Sequence, residues 1–132
     1  MKLSFHKLAN LFALLFLMLA AIWLWAPNLL LADWGVAFTP AVALVGRRGA
    51  AFYAGVAVMF FTARHAPHSP ARTALIRGGL VICLMLAGLG VYELASGHAT
   101  PAILVAVCLE VAGALALLYV GREQSEVLRR RR

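Results

Sequence analysis

The sequence predicts an all-α fold, a four-helix transmembrane bundle with both termini in the cytoplasm. Three observations lead there. The chain is 64% hydrophobic and 13% charged, with a mean hydropathy of +0.90, against roughly 45–50% and 25% in soluble domains. Four apolar runs are each long enough to cross a bilayer, which takes about 20 residues of helix. The basic residues gather at the ends of those runs and not on a face of their own. A length of 132 residues allows one compact domain, read as a four-span unit over 1–121 and a basic tail over 122–132.

The first span covers about residues 8–27. Its basic start and apolar middle resemble a signal peptide, but Pro27 and the bulky Trp23 and Trp25 spoil a small-residue cleavage site. The run therefore reads as a retained span, with Trp23, Trp25 and Trp34 as an interfacial belt at its far end.

The other three spans open with one device. Thr39-Pro40, Ser69-Pro70 and Thr100-Pro101 each place a hydroxyl before a proline. The hydroxyl can accept a hydrogen bond from an otherwise unpaired N–H of the first turn, and proline has no N–H to leave unpaired. Spans are expected over about 40–63, 70–95 and 101–120.

Orientation follows from Lys and Arg. Lys2, Lys7, Arg64, Arg72, Arg77, Arg122 and Arg129 to Arg132 all fall on one side of this topology, and Arg47 and Arg48 alone on the other. That asymmetry places both termini inside. The net charge of +7 and pI near 10.5 could indicate nucleic acid. Dispersal of the charge among span ends argues against it, since a nucleic-acid footprint is a basic face on a folded domain. Arg122, Arg129, Arg130, Arg131 and Arg132 are instead expected to anchor the topology and to meet anionic head groups.

The residues of most chemical interest are charges within the spans. Glu110 interrupts the fourth run near its middle, where an acidic group costs on the order of 2.5–3.5 kcal/mol to insert. At helical spacing it shares a stripe with Ile103, Ala106, Gly113 and Leu117, and Glu93 shares one with Gly79, Cys83, Leu86 and Gly90. Small residues let membrane helices approach closely, so both stripes are expected to face the bundle interior. Arg47, continued by Ala51, Gly55, Val58 and Thr62, and its neighbour Arg48 are the candidate partners, forming an intramembrane charge cluster with Glu93 and Glu110. Two readings stand side by side. One is a buried ion pair that sets helix register; the other is a site for a proton, an ion or a polar head group.

Fewer signals come from the remaining polar residues. Asn10, on a stripe with Ala13 and Leu17, is expected to hydrogen-bond across helices. His65 and His68 form an HxxH broken by Pro67, with no third ligand near in sequence, so no metal and no cofactor is expected. Cys83 and Cys108 fall within spans and read as core residues. No nucleophile–base pair or phosphate-binding loop is visible in the sequence, so an enzyme is the least favoured reading.

The stretch GRRGAAFYAGVAVMFFTARHAPHSPARTALIRGG, residues 46–79, resembles the second and third helices of small bacterial four-helix integral membrane proteins of unknown function. The shared features are an arginine before a Gly/Ala-rich span, a short basic linker and a second Ala/Leu-rich span. The four-span layout is loosely similar to DoxX-like proteins. The resemblance covers the middle of the chain and implies a multi-pass protein of the bacterial inner membrane, without implying an activity. Small multidrug exporters carry a glutamate in their first helix, and this chain has none there.

Together these observations predict a non-enzymatic membrane protein. It is either an accessory or assembly component of a larger membrane complex or a binder of a small apolar ligand or lipid. The alternative is a small oligomeric transporter or channel, with Glu110 as its proton or cation site.

Overall fold

A computed structural model describes residues 4–130, with side chains through residue 122. The described chain is helical and contains no strand. Five helices follow one another: α1 (Phe5–Trp25), α2 (Pro27–Asp33), α3 (Pro40–Ala63), α4 (Pro70–Ala95) and α5 (Ile103–Arg130). All but α2 contain a segment long and apolar enough to cross a membrane, that of α5 being Ile103–Arg122. The outward faces carry Leu14, Leu17, Val45, Phe52, Leu84 and Leu115, each more than half exposed. Such a surface fits hydrocarbon and not water. The chain has the build of a multi-pass membrane protein.

Helix starts show local chemistry at work. Thr39 Oγ1 accepts from the Val42 N–H at 3.2 Å, and Ser69 Oγ from the Arg72 N–H at 3.3 Å. α3 and α4 accordingly begin at their prolines, as expected from the sequence. The third hydroxyl is used differently. Thr100 Oγ1 donates to the carbonyl of Asp33, and the Thr100 N–H donates to the carbonyl of Trp34 at 2.9 Å. Its side chain is thus committed to a distant segment, and regular helix starts only at Ile103.

α2 is the one helix not anticipated. The break at Ala26, with φ −139° and ψ 51°, ends α1, and Pro27 then opens a second short helix. No capping hydroxyl precedes Pro27, so the signal that marks α3 and α4 is missing. α2 ends at Asp33 with Trp34 as its cap, and Gly35 follows with a φ of +73°, in the left-handed region. A Cβ at this position would also stand 2.6 Å from Thr100 Cγ2. Gly35→Ala is therefore expected to cost at least the ~1–2 kcal/mol of a left-handed alanine, read as a lower Tm in detergent. An unchanged Tm would show that the Thr100 contact does not hold these loops together.

The four long helices associate as two antiparallel pairs, α1 with α3 and α4 with α5. In the first pair α1 supplies large side chains, Phe5, Leu8, Phe12 and Phe16, and α3 supplies Ala43, Ala50 and Ala57. These alanines recur every seven residues, so they form one continuous face that admits the phenylalanines. The expected interior seam of α3, Arg47 through Thr62, is exposed along its length. Small residues occur on two sides of this helix, and the aligned alanines take the partner.

The two pairs meet through aromatic rings seated on glycines. A Cβ at Gly79 of α4 would lie 2.9 Å from Phe60 Cζ and 3.2 Å from Leu117 Cδ1. A Cβ at Gly113 of α5 would lie 3.1 Å from Phe12 Cζ and 3.3 Å from Cys83 Sγ. Phe60, 1% exposed, also packs on Phe12 with ring centroids 5.0 Å apart. The main core cluster, from Phe5 and Leu8 to Leu117 and Val120, gathers toward the end of the bundle that holds the start of α1. The opposite end, marked by Trp23 and Trp34 with ring centroids 6.1 Å apart, lies outside that cluster.

Candidate functional site

Glu110 sits on the inward side of α5, between the buried Val107 and Ala114. Seven residues from the start of α5 place it about 10 Å along that helix. Tyr53 of α3 and Cys83 of α4 are near enough for its charge to act on them, so three long helices converge here. Cys83 is buried, and Tyr53 is half-buried against Phe16, ring centroids 6.0 Å apart. Oε2 of Glu110 is buried, and among the described residues it has no hydrogen-bond partner.

The four intramembrane charges do not come together. Arg47 and Arg48 are both exposed on α3. Glu93 is taken by a local partner, its Oε2 accepting from His98 Nδ1 at 2.9 Å in the α4–α5 connection. Among the described residues that is the one ion pair, and it lies at the tryptophan end, partly open to the surroundings. The question the sequence left open about Glu110 is thereby narrowed: neither arginine neutralises it.

Asn10 also departs from expectation. It bonds along its own helix, with Nδ2 3.1 Å from His6 Nε2, and does not bridge to a neighbour. The interior stripe of α1 is Phe5, Leu8, Ala9, Phe12, Ala13 and Phe16, so Asn10 lies beside it, and Leu17 is exposed. His65 pairs with His6, ring centroids 4.6 Å apart, and not with His68. At the same end Arg72 lays its guanidinium 4.0 Å from the Phe5 ring centroid. Arg122 is exposed on α5. α5 continues as helix to Arg130, and the side chains of Arg129 and Arg130 are not described; Arg131 and Arg132 lie outside the described residues.

One feature of the site had no sequence signal. Trp23 of α1 and Ala41, Val42, Val45, Gly46, Gly49 and Tyr53 of α3 line a groove of about 490 Å³. Val42, Gly46, Gly49 and Tyr53 follow the 3–4 spacing of one helix face, which Val56 and Phe60 continue. Farther along, that same face is covered by α4 through Phe60 and Gly79. At the groove both walls come from the α1–α3 pair. Its walls are hydrocarbon and aromatic ring, and its inner end is the Tyr53 side chain, near Glu110.

Comparison with protein-family models, curated proteins and solved structures finds no match for this chain.

Proposed function

We propose that this protein is a non-enzymatic membrane protein that holds a small apolar ligand or a single lipid chain in a groove on its α1–α3 pair. The observation that supports it is the groove. Ligand sites of roughly 300–1,000 Å³ are mostly apolar, with a few polar groups at defined places. A groove of about 490 Å³ with Tyr53 at its inner end has that character. The bilayer in question is the bacterial inner membrane, with both termini cytoplasmic, in keeping with the distribution of arginine and lysine. Arg122 and Arg129 to Arg132 would then meet anionic head groups, at about 1 kcal/mol for each arginine near the surface.

Native mass spectrometry of the chain released from mild detergent tests this reading. The expected spectrum shows a lipid or small apolar molecule retained on the wild-type chain and lost from Gly49→Leu. A Cβ at Gly49 meets nothing within 4 Å, so leucine can fill the groove without displacing a neighbour. Equal retention by both forms would sink the proposal. A chain found only within a larger complex, with no small ligand, would favour the accessory role instead.

A second reading is a small oligomeric transporter or channel using Glu110. It is favoured by one observation, the buried and unpartnered Oε2 at a meeting point of three helices. Intramembrane carboxylates commonly mark ion or substrate pathways.

A further inference from the structure

The end of the bundle opposite the groove brings basic side chains from separate segments into one small patch. α1 begins at Phe5 and α4 at Pro70, and the α3–α4 connection lies against both starts. Arg72 holds its guanidinium 4.0 Å from the Phe5 ring centroid, and its Nη1 donates to the carbonyl of Ala66 at 3.5 Å. Ala66 follows His65, whose ring centroid stands 4.6 Å from that of His6. These contacts fix Arg72 beside both histidines. We propose that His6, His65 and Arg72 form a binding site for the phosphate of an anionic membrane lipid, distinct from the groove and from the basic tail.

Three features of the patch suit that ligand. First, hydrogen-bond donors are in surplus. A guanidinium presents a rigid fork of N–H groups matched to phosphate, and that of Arg72 makes one long bond among the described residues while its Nε is buried and unmet. Asn10 Nδ2 donates to His6 Nε2 at 3.1 Å, so the neutral His6 ring carries its proton on Nδ1 and can donate as well. Second, the charge here is of one sign. Asp33, Glu93 and Glu110, the acidic residues with described side chains, all lie nearer the tryptophan end, whereas Lys7 and Arg64 lie at this one. The starts of α1 and α4 add the positive ends of their helix dipoles. Third, polar and apolar surface follow one another as they do in a lipid. His6, Asn10, Leu14 and Leu17 share one face of α1, and both leucines are more than half exposed. A phosphate held at the start of α1 would lay its acyl chains along those leucines.

Native mass spectrometry of the full chain in mild detergent tests this, with phosphatidylglycerol and phosphatidylcholine of matched acyl chains as probes. The wild type is expected to prefer phosphatidylglycerol. His65→Gln/Arg72→Gln is expected to weaken its retention about tenfold, the worth of one hydrogen bond to a charged group. Arg48→Gln, which removes the same charge elsewhere, and Gly49→Leu in the groove are expected to leave it unchanged. Equal retention of the two lipids by the wild type, no loss in the double variant, or an equal loss in either control overturns the site. If circular dichroism shows the double variant unfolded, His65→Gln alone, at an exposed position, decides: a smaller loss supports the site and no loss overturns it. Excess inorganic phosphate is expected to leave the lipid bound, because the chains lie on α1; displacement would assign the site to the free anion and overturn the lipid.

Discussion

Phe60→Ala is expected to be the most damaging single truncation in the bundle, costing about 3 kcal/mol or more, as large-to-small changes at buried phenylalanine do. The reason is positional. Phe60 is 1% exposed, and its ring packs on Phe12 and, with Leu117, fills the space above Gly79. In a bilayer, lipid tails are as apolar as the side chains, so helices gain little from burial as such and rely on close packing. Removing the ring therefore deletes the contacts themselves between the α1–α3 pair and the α4–α5 pair. Thermal unfolding in detergent, followed by near-ultraviolet circular dichroism, should show a markedly lower Tm. Gly79→Ala should act in the same direction through overpacking, and a double variant, Phe60→Leu/Gly79→Ala, should recover part of the loss. Additive losses in that pair would mean that the ring and the glycine do not interlock.

Glu110→Leu is expected to do the opposite and stabilise the protein. A buried polar atom without a hydrogen-bond partner costs about 1–3 kcal/mol, and Oε2 of Glu110 is in that position. Leucine has a similar length, removes the unmet atom, and sits between Val107 and Ala114 on the same face. The expected result is a Tm higher than wild type, together with unchanged helical content. Natural chains keep destabilising groups where function needs them, and this combination would mark Glu110 as such a group. A lower Tm on Glu110→Leu would mean instead that the carboxyl group has a structural partner, and the transporter reading would lose its support.

How much of this could be read from the sequence varies by element. The starts of α3 and α4 were fully legible, because Thr39 and Ser69 cap their own helices and nothing distant competes for them. Thr100 carries the same local signal, yet its hydroxyl goes to Asp33, 67 residues away in sequence. Local pattern cannot report a bond of that span. α2 was hidden for another reason: the residues after Pro27 remain apolar, so the break at Ala26 leaves no trace in hydropathy. On α4 the buried Gly79, Cys83 and Gly90 follow the small-residue stripe as read. On α3 the same rule selected the wrong side, because that helix has small residues on two faces and only the partner's phenylalanines decide between them.

The candidate site divides similarly. Glu110 was visible as an anomaly of composition, a single acid in a long apolar run. Its isolation was not, since Arg47 and Arg48 lie at a plausible depth and only their direction removes them. The groove was invisible. It arises where Trp23 of α1 stands over one face of α3, and its wall is built of residues common to transmembrane helices.

The hydrogen bonds from Thr100 to Asp33 and Trp34 have a mechanical consequence. At one end of the molecule the pairs are pinned by phenylalanine rings resting on glycines; at the other they are joined by a latch between two loops. The latch ties α2 to the start of α5 and leaves the α3 side unfastened. α3 is held at that end by α1 instead, where the Trp23 ring fills the space that a Cβ at Gly46 would take. The two pairs are thereby joined at both ends by different means, interlocked packing at one and hydrogen bonds between loops at the other.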